Sequence, residues 1–194
     1  MKKVGFFMIL GAAILLLFGC AGNGGLGGVS QEPVDDWFVT LLYDGNGDGV
    51  YDSMRNYFYI NIDVNADNDG YVAVALDEDG ELDQEKTATF SMDRDEVEFT
   101  IAKGSTIGIG NYLYNLTGIF YDVSTDSDDL MAGDYEDNFS DDEGFWFAVR
   151  YEFPTEGVAF EGYNPLEDRE EEIERLIEEK TGYKVDLDFS ELTK

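Results

Sequence analysis

The chain has 194 residues, 43 Asp and Glu against 12 Lys and Arg, a formal net charge of -31, no histidine and one cysteine. One cysteine excludes a disulfide within the chain and a thiolate zinc site, and the missing histidine removes the commonest general base and the Ser-His triad. So acidic a chain is repelled by nucleic acid and by anionic headgroups, and its natural small partners are cations.

The first residues put Lys2 and Lys3 ahead of an apolar run from Val4 to Gly19. That run is shorter than the roughly 20 residues of a spanning helix, and its basic start fits a secretory signal. It closes on Leu17-Phe18-Gly19-Cys20, which resembles the lipobox of bacterial lipoproteins. The resemblance implies cleavage after residue 19, with Cys20 as the lipidated N-terminus and the membrane as a partner through that anchor. Cleavage would remove two lysines and no acid, leaving the mature chain more acidic still. Ala21 stands where lipoproteins retained at the inner membrane often carry Asp, so the resemblance leans to the outer membrane of a Gram-negative envelope.

Residues 20–34 are expected to form a tether. Ala21 to Gln31 holds five glycines in 11 residues, and a flexible segment of that length reaches about 18 Å.

From residue 35 to 153 the dominant period is two. Phe58, Ile60, Ile62 and Val64 share one face, Val97, Phe99 and Ile101 another, and Phe145, Phe147, Val149, Tyr151 and Phe153 a third. Such alternation marks half-buried strands. Seven are expected, over 37–43, 54–65, 71–77, 87–93, 96–102, 112–122 and 145–153. The links are rich in turn residues and carry no helical pattern for parallel crossovers. The expectation is a mainly β chain forming an antiparallel, immunoglobulin-like β-sandwich; a barrel of similar strand number satisfies the same pattern. Ser124 to Gly144 is crowded with acids and reads as a solvated loop with fast amide exchange.

The stretch "YDGNGDGVYD" follows the first of these strands. Ca2+ takes six to eight oxygens, and a short loop supplies them from alternate positions around a glycine turn. Asp44, Asn46 and Asp48 occupy positions one, three and five, Gly49 the turn, Val50 the carbonyl position and Asp52 the ninth. The pattern resembles the DxNxDG calcium loops of EF-hands, dockerins and thrombospondin type 3 repeats. It departs from the EF-hand at the twelfth position, where Arg55 replaces the bidentate Glu, and its flanks read as strands. The missing donors must come from elsewhere, and affinity is expected in the weak range of extracellular modules, about 10^-4 to 10^-3 M. Asn65 to Gly70 and Asp77 to Asp83 are poorer copies that read as hairpin turns, able to lend ligands if all three turns share one end of the fold. The acidic loop feeding a long alternating strand is also similar to the start of bacterial surface-anchored β-sandwich modules of the choice-of-anchor kind, over about 80 residues.

Residues 154–194 are expected to be an appendage. Asn164-Pro165-Leu166-Glu167 supplies a helix start, Leu166, Ile173, Leu176 and Ile177 an apolar stripe, Glu171 and Arg175 an ion-pair spacing, and Gly182 the stop. Val185, Leu187 and Phe189 then alternate as a short strand.

No nucleophile elbow, P-loop or dinucleotide fingerprint is present, "GIGN" at Gly108 to Asn111 reading as a turn, and no acid pair stands out among so many carboxylates. The sequence therefore points to a non-enzymatic, lipid-anchored, calcium-binding β-sandwich of the cell envelope with a structural or adhesive role. The alternative is an envelope assembly or accessory subunit that docks a partner through its C-terminal helix. The protein or glycan ligand is not legible. The acidity also suits a protein exported into a saline habitat.

Overall fold

The computed structural model describes residues 32–103, 112–122, 129–138, 143–153 and 166–190. Cys20, the signal and tether up to residue 31, the turn at 108–111, and the Asn164-Pro165 helix start lie outside them. Among the described residues no helix is long and apolar enough to cross a membrane.

The strands are β1 (Asp35–Tyr43), β2 (Val50–Tyr51), β3 (Ser53–Val64), β4 (Tyr71–Leu76), β5 (Lys86–Asp93), β6 (Glu96–Lys103), β7 (Tyr112–Tyr121), β8 (Leu130–Asp137), β9 (Glu143–Arg150) and β10 (Lys184–Val185), with helix α1 (Glu170–Thr181) between β9 and β10. Eight of them form one antiparallel sheet in the order β4-β3-β1-β9-β8-β7-β6-β5. Neighbours in the sheet are neighbours in the chain, except that the first long strand pairs with the last, Trp37 opposite Arg150 and Leu42 opposite Phe145. That pairing turns a meander into a nearly closed barrel, in place of the two packed sheets of a sandwich. Alternation reports that one face of each strand is buried; it does not report whether that face meets a second sheet or the far wall of its own. The seam lies between β4 and β5. It is drawn together at one end, where the Asp83 amide donates to the Ala75 carbonyl at 2.9 Å and Leu82 bridges Leu76.

The barrel is filled by side chains. Trp37, Phe58, Phe90, Phe99, Phe120, Tyr135 and Trp146 belong to one buried cluster with the inward aliphatics of every long strand. Room for the indole of Trp146 comes from Gly118 on β7, and its sheet partner Gly133 on β8 admits the β7 backbone. A Cβ on Gly118 would lie 2.9 Å from the Trp146 ring, and one on Gly133 only 2.0 Å from the Thr117 carbonyl. That same carbonyl accepts the Trp146 Nε1–H at 2.9 Å. Each barrel end carries a buried acid paired with an arginine. At one, Arg150 meets Asp129 at 2.8 Å and lies 5.0 Å from the ring of Trp37; at the other, Arg55 meets Asp137 at 2.9 Å.

A second apolar cluster lies outside the barrel wall. Phe38 and Leu42 of β1, Leu130 and Ala132 of β8, and Phe145, Phe147 and Val149 of β9 are covered by Leu166, Ile173, Leu176, Ile177, Leu187 and Phe189. This explains the unbroken runs of buried residues in β1 and β9, which are buried on both faces. The helix ends at Gly182, whose φ of 78° is open to glycine, with its amide on the Glu178 carbonyl. The chain returning past the helix is held by two of its glutamates: Glu174 accepts the Leu187 amide at 2.8 Å and Glu170 the Phe189 amide at 2.7 Å. Arg175 pairs with Glu179 at 3.5 Å, and Arg169 with Glu172 at 3.5 Å.

The segment expected as a solvated loop is corrected. Its centre is β8, an interior strand of the sheet between β7 and β9 with Leu130, Met131, Ala132 and Tyr135 buried; residues 123–128 and 139–142 lie outside the described residues. The acids there do not prevent a strand, because Asp134 and Glu136 share the outward parity and Asp137, though buried, faces Arg55.

Candidate metal centre

The loop from Asp44 to Asp52 links β1 to β3 at the barrel end marked by Arg55 and Asp137. Asp44 organises it. Its Oδ1 accepts the amides of Gly47 at 2.7 Å and Asp48 at 3.2 Å, and its Oδ2 accepts that of Gly49 at 2.8 Å. Asn46 Oδ1 takes the Asp48 amide at 2.9 Å, and Asp48 Oδ1 takes the Val50 amide at 2.9 Å. Gly47 and Gly49 make this wrapping possible with φ of 78° and 86°, a region that L side chains avoid. The Gly49 amide above all, with those of Gly47, Asp48 and Asn46 and against a contrary effect of desolvation, holds the Asp44 carboxyl below its ordinary value.

All five expected ligand residues thus sit in one loop, but their carboxylates do not converge. The Asp52 carboxylate accepts the Ser53 hydroxyl at 3.0 Å, and among the described residues no group of three or more Asp, Glu or Cys side chains is arranged to hold a metal ion. Arg55, in the position of the EF-hand glutamate, is turned to Asp137. What the loop offers is the second carboxylate oxygen of Asp48, beside the one that holds the Val50 amide, around a backbone bent into a tight turn.

The two copies differ in place and use. Successive turns of a meander alternate between barrel ends, so 77–85 lies at the end of the 44–52 loop and 65–70 at the opposite one; the three do not cluster. Asn65 exchanges bonds with Asp69, accepting its amide at 3.1 Å and donating to its carboxylate at 2.8 Å. Asp77 takes the amides of Asp79 at 3.1 Å and Glu81 at 2.9 Å. Both are turns satisfied from within.

A cleft of about 520 Å³ opens beside the exit of the 44–52 loop, lined by Tyr51, Asn115, Asp134, Glu136 and Glu143 among others. Burial, then the nearby charges of Asp134 and Asp44, pushes the Tyr51 hydroxyl up. These β8 and β9 acids, which share a cleft with Tyr51, are oxygen donors that sequence reasoning missed. They lie some 90 residues from the loop in sequence, within a stretch read as solvated, and only the β1–β9 pairing brings them round. No protein-family model matches the chain, and no curated protein is significantly similar to it.

Proposed function

We propose that this chain is a lipid-anchored, calcium-binding β-barrel protein of the bacterial cell envelope, a binding module with a structural or adhesive role and no enzymatic one. The anchor rests on the lipobox-like Leu17-Phe18-Gly19-Cys20, and the outer membrane is favoured by Ala21. The calcium reading is supported above all by the cradle around Asp44, in which three amides fold the backbone about one carboxylate. The filled barrel interior favours a surface ligand over one carried inside.

The reading is tested by thermal melting in Ca2+ and in Mg2+ at equal ionic strength. With a Kd of about 10^-4 M, about 10 mM Ca2+ should stabilise the fold by about 2.7 kcal/mol, a rise of about 5 to 11 °C in Tm. Mg2+ demands tighter octahedral geometry and keeps its waters, so it should do less. Asp44→Ala combined with Asp48→Ala should abolish the Ca2+ excess. Equal shifts with both ions, unchanged by the double substitution, would show an acidic turn and nothing more.

A further inference from the structure

The short strand β10 pairs with the exit of the 44–52 loop and lies apart from the eight-stranded sheet. Lys184 is opposite Val50 and Val185 opposite Tyr51 in a parallel ladder, and the Asp186 amide donates to the Tyr51 carbonyl at 3.1 Å. Val50 is also the residue whose amide the Asp48 carboxylate holds. The Tyr51 ring stands edge-on to Tyr183 at 5.5 Å and packs on Phe145 at 5.6 Å, and Tyr183 packs on Phe145 at 4.6 Å. The Tyr183 hydroxyl reaches Asp134 at 3.2 Å. From Asp48 to α1 the contacts are therefore continuous: carboxylate to Val50, β2 to β10, and β10 to the helix through Leu187, Phe189 and the glutamates that hold their amides.

We propose that the C-terminal arm, residues 166–190, is a latch on the 44–52 loop, so that docking of the arm and ordering of the loop are linked, and a cation in the loop tightens both. Linkage is reciprocal: whatever orders the loop holds the arm, and whatever loosens the arm frees the loop. Release of the arm would uncover Phe38, Phe145 and Phe147, an apolar face that the closed protein hides. The cation half rests on the calcium reading; the coupling of arm to loop stands without it.

The test is hydrogen exchange on the full chain, comparing wild type, Asp186→Pro, which removes the donor to Tyr51, and Asp44→Ala, which removes the carboxylate at the loop's centre. Asp186→Pro should speed exchange at Gly47, Asp48 and Gly49 by at least fivefold, and Asp44→Ala should speed exchange at Asp186 by a similar factor. Ca2+ at about 10 mM should slow exchange in both segments of the wild type, and its affinity should fall threefold or more in Asp186→Pro. Buried Trp37 and Trp146 report by fluorescence whether each variant keeps its barrel; if Asp186→Pro does not, Tyr183→Leu makes the same comparison by removing the hydroxyl and edge contact. Effects confined to the segment mutated would overturn the latch, as would Ca2+ protection limited to the loop, which leaves the calcium reading intact. Cross-effects between the segments with no Ca2+ response would instead overturn the calcium reading and the cation half, and support the latch.

Discussion

Asp44 shows how far a single residue could be understood from the sequence. The sequence singled it out as a cation ligand, and the partners it has in the fold are backbone amides three to five residues ahead, which the spacing of acids and glycines marked only as a tight loop. Arg55 is the opposite case: its partner Asp137 is 82 residues away, and only the barrel joins them. The cradle has a consequence in acid. A carboxyl whose folded pKa is lowered contributes stability that is fully present above its unfolded value and lost as pH falls through the folded one. For Asp44 the ordinary value is 3.8, so the loop should stay ordered down to about pH 4 and loosen only below it. An NMR titration of the Asp44 carboxyl carbon checks this: the midpoint should fall below that of an unstructured Asp, and a midpoint at or above it would mean that the amides do not wrap the carboxylate in solution.

At the scale of elements, the strands with one polar face were the easiest to read. β6, with Val97, Phe99 and Ile101 inward and Glu96 and Glu98 outward, matches its sequence pattern. β1 and β9 were read as half-buried because period-two reasoning assigns one face to the core, whereas the arm buries the other too. β8 was missed because its acids outweighed a weak alternation interrupted by Gly133, which the close approach of the Thr117 backbone on β7 requires. The helix was legible in its stripe and its stop, since both are local signals. How firmly it docks is open to measurement by denaturant unfolding. Ile173 is fully buried, and Ile173→Ala should cost about 2 to 5 kcal/mol. The exposed pair of Arg175 with Glu179, whose side chains keep 69% and 58% of their accessibility, should lose less than about 1 kcal/mol on Arg175→Ala. Equal, small losses would mean that the arm is not seated on the barrel.

For the molecule as a whole, the distribution of charge decides what solvent ions do. The interior is apolar and aromatic, and the two acids buried at opposite ends, Asp129 and Asp137, each face an arginine. Nearly all the excess negative charge of the described residues therefore lies outside the core, where like charges repel and weaken the compact state. The outer face of β5 to β7 carries Asp93, Glu96 and Glu98 around a cleft that runs to Thr181 and Tyr183 at the edge of the arm. Such repulsion is screened by salt: the Debye length falls from about 30 Å at 0.01 M to about 8 Å at 0.15 M. The buried arginine pairs are screened much less, so salt should relieve repulsion without dissolving them. Tm should accordingly rise with NaCl from about 0.01 to 0.5 M, with most of the gain before about 0.15 M, because further screening acts on distances already shielded. A fall in Tm over that range would mean that attraction between surface charges outweighs repulsion, despite a net charge of -31. The same curve calibrates the calcium measurement, since a divalent salt also screens. Stabilisation by Ca2+ beyond the NaCl curve at matched ionic strength belongs to bound ions, and the part of it removed by Asp44→Ala with Asp48→Ala belongs to the loop.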